Sequence, residues 1–89
     1  MNDLSITIAS VPDRENVVAE LWYKNQLWGE LSYENNEFQL EIYPSSRGDA
    51  WNFNYEKVLQ SIIDAKEKLI NELTIPQDIL LQQLRRVKP

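Results

Sequence analysis

The segment VVAELWYKNQLWGELSYENNEFQLEIY, from Val17 to Tyr43, decides the fold, because apolar and polar residues alternate through it in three stretches joined by Asn-bearing turns. That alternation is the signature of half-buried strands. Period two places Ala19, Leu21 and Tyr23, then Leu27, Leu31 and Tyr33, then Phe38, Leu40 and Ile42 on one face, the side that builds a core. The opposite face collects Glu20, Trp22, Lys24, Trp28, Glu30, Glu41 and Tyr43, an acidic surface set with large rings. This second face is the candidate site.

The turns decide how these strands meet. Asn35-Asn36 tolerates the positive φ angles of a two-residue hairpin, which pairs Tyr33 with Phe38, Leu31 with Leu40 and Glu30 with Glu41. Carboxylates directly opposite one another repel unless a cation lies between them, so replacing Glu30 or Glu41 with Gln is expected to stabilise the isolated chain. Before it, a three-residue loop Lys24-Asn25-Gln26 preserves the parity of the apolar face. One register of that hairpin sets Trp22 opposite Glu30; another sets Trp22 opposite Trp28 and Glu20 opposite Glu30. The first avoids facing carboxylates and is the expected one. Gly29 leaves room on the core face for a neighbouring ring, with Tyr23 the candidate.

Outward from this segment, Leu4, Ile6 and Ile8 alternate with polar or small residues as a first, edge strand that ends before Pro12. Asp13 to Asn16 form a polar turn. Pro44 to Ala50 is a turn-rich loop in which Arg47-Gly48-Asp49 reads as a turn. Asn54 caps a helix with Glu56 in its first turn and Phe53 and Val58 at staple positions. Tyr55, Val58, Leu59, Ile62, Leu69, Ile70 and Leu73 form its apolar stripe. Thr74-Ile75-Pro76-Gln77 ends that helix and starts another, Leu-rich and basic at its end. The expected architecture is a single α+β domain over residues 1–89. It is a four-stranded antiparallel meander (4–11, 17–24, 27–34, 38–43), with a long helix (55–73) on one face and a short C-terminal helix (76–87).

Composition narrows the function. No window reaches the roughly 20 apolar residues of a membrane span, and the N-terminus lacks a signal-peptide pattern, so a soluble cytoplasmic protein is expected. The chain has neither Cys nor His, which removes thiol chemistry, disulfides, the commonest general base and the commonest metal ligand. Residues 1–54 carry nine Asp/Glu against three Lys/Arg, so most of the net charge of −5 belongs to the sheet half. Such a field repels phosphate backbones and attracts basic proteins. Glu20, Glu30 and Glu41 beside indoles would suit a glycosidase, but an open sheet face has no deep pocket to separate the pKa values of two acids. No loop has calcium-binding spacing. No catalytic residue, cofactor or metal is expected.

Aromatic anchors ringed by acids suit a protein interface that steers a basic partner. The order of a short antiparallel sheet followed by the helix YEKVLQSIIDAKEKLINEL resembles HicB-type antitoxins, in element order over residues 17–73 and in residues over 58–69. Size, charge and lack of catalytic residues are also similar to small bacterial immunity proteins. That resemblance implies a non-enzymatic inhibitor of a basic toxin, nuclease or nucleic-acid-binding protein. The partner-binding candidates are Glu20, Trp22, Lys24, Trp28, Glu30, Glu41 and Tyr43. The alternative is a homodimeric accessory or regulatory domain assembled through the C-terminal helix, with Arg85, Arg86 and Lys88 available to phosphates.

Overall fold

The computed structural model describes residues 3–12 and 14–73. Four strands, β1 (Leu4–Ala9), β2 (Val18–Tyr23), β3 (Gln26–Glu34) and β4 (Glu37–Ile42), precede one helix, α1 (Tyr55–Leu73). The strands form one antiparallel sheet in the order β1-β2-β3-β4, the expected meander. The expected helix over 76–87 lies outside the described residues. Among the described residues, no helix is long and apolar enough to cross a membrane.

The second hairpin forms as its sequence demands. Asn35 and Asn36 take φ of 53° and 64°, Tyr33 faces Phe38, Leu31 faces Leu40 and Glu30 faces Glu41. The Tyr33 and Phe38 rings meet at 4.8 Å between centroids.

The first hairpin differs from expectation. Its turn is the two residues Lys24-Asn25, with φ of 47° and 66°, the positive pair whose twist matches that of the flanking strands. Parity is restored by a β-bulge: Leu21 faces Gly29 while Trp22 faces Leu27, leaving Trp28 as the extra residue on β3. The bulge exchanges the roles of two neighbours. Leu27 pairs with Trp22, and Trp28 joins the buried cluster of Ala19, Leu21, Leu31, Ala65 and Leu69, only 2 % exposed. Gly29 admits backbone rather than a ring, since a Cβ there would lie 2.9 Å from the Glu41 carbonyl oxygen. Tyr23 turns its edge to Phe53 instead, at 5.1 Å.

Asn54 caps α1 as expected, its Oδ1 accepting the Lys57 N–H at 3.0 Å. Phe53, just before the cap, also packs on Trp28 at 4.9 Å and stacks with Trp51 at 5.7 Å. Trp51 Nε1 donates to the Tyr43 carbonyl at 2.7 Å and ties the connecting loop to the end of β4. The loop turns at Gly48, φ 78°, whose N–H donates to the Ser45 carbonyl, so Arg47-Gly48-Asp49 is part of a turn.

The helix meets the sheet along Ser61, Ala65 and Leu69, all buried, with Val58, Ile62 and Leu73 beside them. Small side chains at Ser61 and Ala65 leave room for close approach to the sheet. Tyr55 and Leu59, expected in the stripe, are largely exposed instead. α1 lies over β1, β2 and part of β3, and meets β4 through Lys66, whose ammonium sits over the Phe38 ring.

Candidate functional site

The face of the sheet away from α1 is organised by strand register. Thr7 pairs with Glu20, Glu20 with Glu30 and Glu30 with Glu41, so three carboxylates lie in one row across β2, β3 and β4. A second like-charged pair, Glu34 with Glu37, closes the β3–β4 turn. Glu20 faces Glu30 despite the repulsion that disfavours this pairing, and Trp22 faces Leu27 rather than Glu30 or Trp28, so the register matches neither expected alternative in full.

Arg14 makes the row tolerable. From the loop between β1 and β2, its Nε lies 3.2 Å from Glu30 Oε1 and its Nη2 lies 3.4 Å from Glu41 Oε1. Glu30 is 8 % exposed and holds its second oxygen against the Tyr43 hydroxyl, which donates at 3.0 Å. A buried carboxylate is stable only when paired and hydrogen-bonded, and this one is both. The expectation that Glu→Gln at Glu30 or Glu41 stabilises the chain therefore does not hold: the cation is already in place, and it is Arg14. Val18 and Ser32 on this face are also buried, so the face is not a uniformly solvated surface. Beside Arg14 a shallow cleft of about 450 Å³ runs along Ser32, Glu34, Gln39 and Glu41.

Of the seven partner-binding candidates, Glu20, Trp22, Glu30, Glu41 and Tyr43 occupy this face. Trp28 does not, because the bulge turns its indole toward Phe53 and the core. Lys24 sits in the hairpin turn with its ammonium 5.3 Å from the Tyr23 ring centroid, away from the carboxylate row. Arg14, Glu34 and Gln39 were missed. Arg14 had a signal available, as one of only three basic residues in the acidic half of the chain.

Burial raises the pKa of Tyr43 first, and the hydrogen bond it donates to Glu30 and the nearby charges of Glu30 and Glu41 add to the rise, pushing it from 10.0 to about 12. The folded chain thus holds this proton more tightly than the unfolded chain. The stabilisation is fully present below pH 10 and is lost as pH rises from 10 toward 12. Tyrosinate absorbance is expected to show a late-ionising phase among the four tyrosines that vanishes in Tyr43→Phe. A late phase that survives Tyr43→Phe contradicts the assignment.

Among the described residues no group of three or more acidic side chains is placed to hold a metal ion. The arrangement offers fixed negative charge, a partly covered indole at Trp22 and a cleft, which suit recognition. In class this is a small α+β domain with an acidic open sheet face. No family model, curated protein or solved structure matches the chain.

Proposed function

We propose that this protein is a small non-enzymatic binding protein that neutralises or regulates a basic protein partner, in the manner of an antitoxin or immunity protein. The observation that carries the reading is the in-register row Glu20–Glu30–Glu41, with one guanidinium for three carboxylates among the described residues. Facing like charges cost stability, and one cation leaves negative charge over at Glu20 and Glu41. Glu34 and Glu37 extend that charge along the same hairpin, and Trp22 supplies an aromatic anchor beside it. Charge arranged this way speeds encounter with a basic surface, and the anchor then contributes residence.

The chain, immobilised and exposed to lysate of its source organism, is expected to retain a basic protein at low salt and release it as salt rises. Retention of nothing basic, or of a protein that salt does not release, counts against the reading.

A further inference from the structure

Among the described residues β4 is an edge strand: it pairs with β3, and no described strand lies along the other side of its backbone. The ladder shows which residues own that side. The Asn35-Asn36 turn closes on Glu34 paired with Glu37, and the Tyr43 N–H donates to the Trp28 carbonyl at 2.9 Å. In an antiparallel ladder, residues alternate between bonding to the neighbouring strand and pointing away from it. Glu37, Gln39, Glu41 and Tyr43 thus bond toward β3, while Phe38, Leu40 and Ile42 present their N–H and C=O groups outward.

The same three residues carry the apolar side chains of β4, on the α1 side of the sheet but beyond the strands that the helix backbone lies over. Leu40 is 43 % exposed and Ile42 is 60 % exposed. Across the gap, Leu59 and Ile63 are 42 % and 44 % exposed. They share their helix flank with Lys66, whose ammonium lies 4.8 Å from the Phe38 ring centroid. An edge strand with outward backbone groups and uncovered apolar side chains is a template for another strand.

We infer that β4 pairs with β4 of a second copy of this chain, antiparallel about a two-fold axis, with Leu40 opposite Leu40 of the second copy. The pattern of β4 is complementary to itself in that register. Leu40 meets Leu40 and Phe38 meets Ile42, and these outward-facing residues exchange both backbone hydrogen bonds in every such pair. On the other face Gln39 meets Glu41 and Glu37 meets Tyr43, so no carboxylate faces another. Sliding the strands by two residues one way sets Glu41 opposite Glu41; sliding them the other way sets Glu37 opposite Glu41. The two glutamates therefore disfavour both neighbouring registers, and longer slides lose paired residues. The two-fold axis runs perpendicular to the sheet, so both carboxylate rows come to lie on one face of the continuous sheet. The inference stands on backbone register and exposure, and does not rest on the basic-partner reading.

The test is solution mass of the full chain by light scattering, combined with single-cysteine variants, which are unambiguous because the chain has no cysteine. The expected mass is about twice 10.5 kDa. Two chains each of charge −5 repel, so self-association strengthens with salt, the opposite of binding to a basic partner. Leu40→Cys is expected to oxidise readily to a linked dimer, since directly opposed residues fall within disulfide reach, while Glu41→Cys links poorly. Leu40→Lys or Ile42→Lys weakens self-association roughly tenfold or more with the thermal transition retained. A monomer at every concentration overturns the inference, and so does a dimer that persists in folded Leu40→Lys. Faster linking through Glu41→Cys than through Leu40→Cys also overturns it. A monomer that unfolds on either lysine substitution assigns the strip to the chain's own residues and overturns it too.

Discussion

Trp28→Ala is expected to cost about 3–5 kcal/mol, the range for emptying a large buried ring from a core. Trp28 is 2 % exposed and packs on Phe53, which in turn touches Tyr23 and Trp51, so its loss opens a hole at the junction of bulge, loop and helix start. Trp28→Phe is expected to recover most of that loss. The indole Nε1 is buried and makes no hydrogen bond, so the N–H contributes no stabilisation that Phe would forfeit. Trp22→Ala, on the open face and only partly covered, is expected to cost clearly less. Urea unfolding of the three variants checks the ordering. Equal small losses for Trp22→Ala and Trp28→Ala would mean that Trp28 faces outward and that the bulge is misplaced.

Arg14→Ala is expected to cost about 2–3 kcal/mol, less than the roughly 3–5 kcal/mol for removing one partner of a fully buried pair, because Arg14 itself is partly exposed. The variant leaves Glu30 covered, flanked in register by Glu20 and Glu41, with only the Tyr43 hydroxyl to hold it. Adding Glu30→Gln to Arg14→Ala is expected to restore part of the loss, because the glutamine side chain still accepts from Tyr43 and carries no charge to bury. A double-mutant cycle by chemical denaturation measures this as a coupling of about 1–2 kcal/mol. Additive effects would mean that Arg14 and Glu30 do not interact across the face.

These two variants mark where the sequence was legible and where it was not. Strict alternation made the strands readable, and Asn35-Asn36 and Asn54 announced a turn and a cap by chemistry local to a few residues. The bulge was hidden because Leu27 and Trp28 are both apolar, and period-two reading assigns adjacent residues to opposite faces whether or not one is inserted. The like-charge rule then favoured the wrong register. It weighed Glu20 against Glu30 without the cation that pairs with Glu30 and Glu41, since Arg14 lies in a loop whose path no pairwise strand argument can trace. Ser61 and Ala65 escaped notice for a related reason: the helix face nearest a sheet is marked by small residues, while a hydrophobic stripe is found by large ones. The acidic character of the open face survived both errors because it depends on Glu20, Glu30 and Glu41, whose parity the bulge does not change.

If the carboxylate row binds a basic protein, as proposed, its charge must set the affinity. The decisive measurement is the affinity of the captured partner for the native chain and for a Glu20→Lys/Glu41→Lys variant across a salt series. The native complex is expected to weaken steadily with salt, and charge reversal to weaken it at low salt by roughly 100-fold or more while the variant stays folded. A folded variant that binds as tightly as the native chain, with the same salt response, would contradict the proposal.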